Sequence, residues 1–465
     1  MQVSISGFAA LAALGVANAL LLVWGGVPGG STERQLIATF GGAALGSAAL
    51  LWLAFDRRFE RVPLRSIFLL ALLLRIVAAF ASPLLEDDHH RYLWDGWRTA
   101  STLDPYRLPP SAWFGDASLP QRWQDVLSAI NHPDIPTIYG PVLQALFALG
   151  HVIAPGQLWP LQALLVATDV ALLWLLARHG VGARWLLAYA LHPLVLKEAV
   201  TSAHPDALVA LCLLSALIAW QRGRPVAVGI VLGLAVGTKV AALLVLPLLL
   251  WAPMQADHGR PRDALRWALS VAAAFAATVP LLYLPFIVAG GSDATALSVF
   301  GTTWRFNPLL YRIVEALVPA AEARPVAALL IIAGIAVIAW CWRRQIQHDP
   351  NTPPPIDAAL VLLLLLSPVV NPWYWLWVLA LAVFMRRTSV VAIAAVSALS
   401  YLNSSVLASL AELPPFVVPW PLALAQLLVL VAGWRMGQAR SRRVAPSPSE
   451  SHAAAPPVDR HASTR

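Results

Sequence analysis

Residues 86–97 read EDDHHRYLWDGW and place three consecutive carboxylates (Glu86, Asp87, Asp88), a fourth at Asp95, two histidines and Arg91 within twelve positions. Adjacent carboxylates repel one another. One of them therefore holds a proton more tightly and is poised as a general base. As a helix, the stretch puts Asp88, Arg91, Tyr92 and Asp95 on one face, and Asp87, His90, Arg91 and Trp94 on the next. A second set of polar residues is scattered along the chain: Tyr139, His204, Asp206, Lys239, Arg305, Asn371, Trp373 and Tyr374. Together the two sets have a chemical logic. A carboxylate deprotonates an acceptor hydroxyl, a lysine and an arginine hold a departing phosphate, and indole and phenol faces suit a sugar ring. Each also has a plainer reading: His204 and Asp206 as a helix cap, Lys239 as a snorkelling cation, Arg305 as a solvated anchor, Trp373 and Tyr374 as interfacial aromatics.

These groups stand out because the rest of the chain is apolar. Of 465 residues 59% are hydrophobic and 12% charged, with a mean hydropathy of +0.69. Repeated apolar runs of about 17–25 residues, without strand-like alternation, specify an all-α polytopic membrane protein of roughly 11–14 transmembrane helices. The first run, 8–24, lacks a basic leader and reads as a membrane helix, not a cleaved signal. The net charge of +8 comes from short Lys/Arg clusters between apolar runs. That is the positive-inside pattern and does not call for nucleic acid. The two cysteines, Cys212 and Cys341, lie in apolar runs, so neither a disulfide framework nor a cysteine metal site is expected. P-loop, dinucleotide and HExxH motifs are missing from the sequence.

Spans at 8–24, 36–55 and 64–85, with Arg57, Arg58, Arg61 and Arg65 between the second and third, put the N-terminus in the cytoplasm and send 86–137 outward. This long, Trp- and Pro-rich segment is expected to form short interfacial helices. The cationic turns at 178–184, 221–224, 258–262, 342–344 and 385–387 all belong inside. Hence the single apolar stretch 225–251 must turn back in the membrane, and its break, GLAVGTK, would bring Lys239 to the outer side. Segment 138–153 must then be re-entrant or interfacial, or else the turn at 178–184 breaks the charge rule. Arg75 and Asp169, inside spans, need buried partners. The membrane unit is placed at 1–434, and 435–465, rich in Ser, Pro and Arg, reads as a disordered cytoplasmic tail.

EDDHHRYLWDGW, DPYRLPP at 104–110, IPTIYGP at 135–141, HPD at 204–206, GLAVGTK and SPVVNPWYW at 367–375 occur in an order that resembles the membrane glycosyltransferases of the C superfamily. Within it the likeness is to bacterial polyprenol-phosphate-mannose-dependent mannosyltransferases. The resemblance implies a long first outer loop bearing a catalytic acid at Asp87 or Asp88, and a basic donor-phosphate residue at Lys239. It also implies a lipid-linked sugar phosphate donor, probed by Glu86, His90 and the remaining polar set, with no metal and no cofactor. The expected reaction is inverting transfer of a sugar, mannose by resemblance alone, to an extracytoplasmic glycan or lipid-linked acceptor at the plasma membrane. The rival from another class is a secondary transporter or flippase with an intramembrane charge relay.

Overall fold

The computed structural model describes residues 5–251, 261–350, 352–410 and 412–444; the cationic turn expected at 258–262 falls largely outside them. Within them the chain is helical, and its one β feature is an isolated bridge between Phe306 and Val369. α1 (Ile5–Gly25) and α2 (Thr32–Phe55) form a hairpin, and α3 (Leu64–Ala78) returns beside α1. α4 (Asp88–Thr102) and α5 (Gln121–Ser128) lie in the polar loop as short helices, as its aromatics suggest. Their indoles bind them together, Trp97 stacking on Trp123 at 4.8 Å.

α6 (Pro141–Ile153) stays with that loop. Its start carries Tyr139 toward Asp88, while beyond its end Pro155 accepts from Arg122 of α5 (2.8 Å) and His151 meets Trp123 (5.5 Å). Segment 138–153 therefore does not cross the bundle. α7 (Trp159–Arg178) does, and it ends at the cationic turn. α8 (Ala183–Ala190) runs on through a π-helical turn, Val195–Thr201, to α9 (Asp206–Gln221), with a bend of 108° between the last two.

The cationic turns gather at one end of the molecule. Arg184 pairs with Glu60 (3.2 Å), Arg222 meets His179 (3.0 Å), and Arg343 lies 5.1 Å over the Trp251 ring. α10 (Pro225–Thr238) breaks at Lys239 into a 3₁₀ turn and α11 (Leu246–Leu249). Beyond α11 the Trp220 indole donates to the Trp251 carbonyl at 2.7 Å. Both ends of 225–251 thus sit at the cationic end, and the stretch turns back as its glycines and lysine require. α12 (Pro261–Ala289), α13 (Ala294–Thr303), α14 (Tyr311–Leu317), α15 (Ala320–His348) and α16 (Ile356–Leu366) follow, then α17 (Leu376–Phe384), α18 (Thr388–Val396) and α19 (Trp420–Val444).

Among the described residues, six helices are long and apolar enough to cross a membrane, or seven if the bent 195–221 pair is one span. The roughly 11–14 crossings expected from apolar runs do not all appear at that length. Prolines and glycines cut several runs into apolar helices of 10–17 residues, such as Pro141–Ile153 and Pro225–Thr238. α19 continues to Val444, into the segment read as a disordered tail; residues 445–465 lie outside the described residues. Arg75 and Asp169 find each other: both are fully buried, 2.6 Å apart, and the Tyr189 hydroxyl donates to the second carboxylate oxygen at 2.6 Å.

Candidate active site

Asp88 is the first helical residue of α4, and Asp87 precedes it without capping the helix through its side chain. Both carboxylates are thus left to other partners. Asn131 donates to Asp87 (2.5 Å) and to Asp88 (3.0 Å), and the Tyr139 hydroxyl lies 3.4 Å from Asp88 Oδ2. On the other side His204 presents Nε2 to Asp88 (3.6 Å) and Nδ1 to Glu198 (3.1 Å). These are ion-pair distances; neither ring nitrogen has a well-aligned hydrogen bond. Trp373 stacks on the His204 ring at 3.9 Å, with 10° between planes.

Gly140 allows the next approach. A Cβ there would stand 2.4 Å from the Gly237 carbonyl oxygen, so only backbone against backbone brings the Tyr139 segment beside the α10 break. Lys239 Nζ consequently lies 4.9 Å from the Tyr139 ring centre and 5.9 Å from that of Tyr374. Asp206 is buried at the start of α9 and accepts from the Trp377 indole. The cap of that helix is Pro205, without a side-chain bond, so HPD serves the cluster and not the helix end.

Electrostatics separate the three acids. Burial raises the proton affinity of Asp88, but His204, Asn131 and the Lys239 charge outweigh it and lower its pKa to about 2. Asp87 is exposed at the rim, yet partial burial and the Asp88 charge raise its pKa. Burial raises that of Glu86 despite the nearby Lys197 and His204 charges. Asp88 is the fixed anion at the centre, flanked by two carboxyl groups that hold protons more readily.

Not every expected residue joins the cluster. Arg91 turns away to the carbonyls of Ile135 and His132, both 3.0 Å, and braces the 131–137 loop. Asp95 is buried against Gln144 of α6 (3.2 Å), so the face shared with Asp88 does not present both acids to one ligand. Tyr92 packs between Tyr139 (5.2 Å) and Phe147 (4.8 Å). His90 stacks loosely on His89 at 4.0 Å. Asn371 opens the 3₁₀ turn Pro372–Trp375, which carries Trp373 and Tyr374 inward. Arg305 has its guanidinium on Glu315, at 2.8 and 2.9 Å. That fork is already filled by a protein carboxylate. Lys197 and Glu198, neighbours that the sequence offers as cavity lining or as a pair, do pair at the site, and Asn131 and Tyr401 complete it. Asn131 opens the NHPDIPTIYGP run; Tyr401 carries no local signal.

Glu86, Asp88 and His204 also offer ligand atoms within 4.8 Å of one another, the group of metal-ligating composition among the described residues. The chain matches a family model described as Alpha-(1->6)-mannopyranosyltransferase, N-terminal domain, over residues 3–255 of 465, more than half its length. The chain belongs to that family. A curated relative, Alpha-(1->6)-mannopyranosyltransferase A of Mycobacterium tuberculosis, is 28% identical over 443 residues, covering 83% of this chain and 82% of its own. No solved structure matches the chain. The resemblance carried by the motifs is thus met: this is a membrane glycosyltransferase, and the transporter alternative falls away. Its matched segment contains Asp88, Asn131, Tyr139, His204 and Lys239.

Proposed function

We propose that this transferase moves a mannosyl group from a polyprenyl-phosphate carrier to a glycan or lipid-linked hydroxyl by a single displacement. Asp88 is the base. The acceptor oxygen forms its bond to the anomeric carbon as the bond from that carbon to the phosphate oxygen breaks; the electron pair leaves with the polyprenyl phosphate, and the hydroxyl proton passes to Asp88. One displacement inverts the anomeric centre. Mannose as the sugar is supported by the family and by the name of the mycobacterial relative.

One observation carries this reading: Asp88 lies among Asn131, Tyr139 and His204, with the Lys239 charge acting on it. These groups come from four separate segments. Lys239 lies over the aromatic faces of Tyr139 and Tyr374, where it can meet a phosphate beside a sugar ring. An anionic donor phosphate against Lys239 cancels part of the charge that depresses Asp88. Donor binding therefore raises the proton affinity of the base at the moment it is needed. The cationic turns at the opposite end support a cytoplasmic placement there, and with it an acid cluster facing the extracytoplasmic side of the plasma membrane and a C-terminal tail inside.

The test offers purified protein in lipid either polyprenyl-phosphate mannose or GDP-mannose, with a pool of acceptors. Release of polyprenyl phosphate from the lipid donor alone is expected. Turnover with GDP-mannose alone contradicts both donor and orientation.

A further inference from the structure

We propose that Glu198 is a positioning residue for the transfer reaction, acting through His204 to set the ring against Asp88. The inference rests on Asp88 being the base. The local backbone is built for one purpose here. A π-helical turn spans Val195–Thr201, and Ala203 adopts a left-handed φ of 56°, unusual for a residue with a Cβ. The His204 amide then donates back to the Glu198 carbonyl at 2.9 Å. Strain of this kind persists where the surroundings over-determine it, and it clusters at functional positions.

Glu198 is itself held from three directions. Tyr401, 203 positions away, donates its hydroxyl to Oε1 at 2.9 Å; the Lys197 ammonium lies 3.3 Å from Oε2; and His204 Nδ1 faces the same oxygen at 3.1 Å. Lys197 also contacts the Tyr401 hydroxyl and lies 3.9 Å from its ring centre. Glu198, Lys197, His204 and Tyr401 are all buried. A buried ionic group is replaceable by apolar packing at little or no loss of stability, so packing alone gives no reason for this one. Its geometry does. A carboxylate fixed by Tyr401 and Lys197 holds the proton on His204 Nδ1 and sets the ring plane, already clamped by Trp373. Nε2, carrying a proton of its own, is then aimed at Asp88. A gap of 3.6 Å is within what catalytic contacts show before substrate tightens them.

Three variants test it on the full-length protein in lipid: Glu198→Gln, His204→Gln and the double. Glu198→Gln is expected to lower kcat by ~10²-fold or more, since removing the charge behind a catalytic histidine costs ~10⁴-fold in the serine triad. The donor KM should stay put. The double variant should be no worse than His204→Gln alone, because groups acting as one unit are non-additive. Should Glu198→Gln not fold, Tyr401→Phe takes its place; it removes one hydroxyl and should lower kcat at unchanged donor KM. Equal kcat in Glu198→Gln (or in its substitute) and the wild type, or losses that multiply in the double variant, overturns the positioning role. Full turnover in Asp88→Asn would instead overturn the reading beneath it.

Discussion

Asp88 and Asp95 sit on one turn-spaced face of the same helix yet meet opposite environments, and that difference decides what each does. Asp95 is buried, and burial outweighs the nearby Arg91 charge and the hydrogen bonds from Thr137 and Gln144, raising its pKa to about 6 from the ordinary 3.8. A raised carboxyl pKa favours the folded state while protonated; that stability is complete below pH 3.8 and is lost as pH rises through about 6. That difference in proton affinity corresponds to at most about 3 kcal/mol. Asp95→Asn should therefore gain on the wild type in thermal unfolding as pH goes from 4 to 7; a constant difference across that range refutes it. Lys239 and Lys197 already supply positive charge around Asp88 and Glu198, so the site is expected to work without a metal. Chelation should leave turnover unchanged. Loss restored by Mn²⁺ or Mg²⁺ would assign Glu86, Asp88 and His204 to a cation instead.

At the scale of elements, the sequence made some features readable and hid others, for physical reasons. Charges in an apolar chain are conspicuous, so 86–88, Lys239 and the fold-back of 225–251 could all be read. Asn131 and Tyr401 are single polar residues in ordinary surroundings, and Tyr401 reaches Glu198 across 203 positions. No local pattern encodes such a contact. Fewer helices than expected reach crossing length among the described residues because hydropathy registers apolar runs, while proline and glycine decide whether a run is one rod or two. Arg75 and Asp169 were visible as buried charges, and their pairing ties α3 to α7. Removing one partner leaves the other charge uncompensated. Asp169→Asn should destabilise the protein by about 3–5 kcal/mol with unchanged kcat for the molecules that fold; a selective loss of kcat would give this pair a catalytic role.

For the whole molecule, the acid cluster and the cationic turns occupy opposite ends of one helical bundle, and this separation is what makes the proposed orientation testable. With Cys212 and Cys341 replaced by serine, a cysteine at the exposed Ser118 of the 86–137 loop should react with an impermeant maleimide in intact cells. One at the exposed Gly223 of the cationic end should react only after lysis. The reverse pattern would invert the molecule and move the chemistry to the cytoplasmic face.

The central claim is that one carboxylate, Asp88, activates the acceptor. The most direct measurement is the rate of polyprenyl phosphate release at saturating lipid donor and acceptor, for wild type, Asp88→Asn and Asp87→Asn in the same lipid. The account predicts that Asp88→Asn lowers kcat by ~10²–10⁴-fold, the contribution of a general base, with donor binding retained, and that Asp87→Asn keeps most activity. A dead Asp87→Asn beside an active Asp88→Asn would contradict it and move the base to the rim.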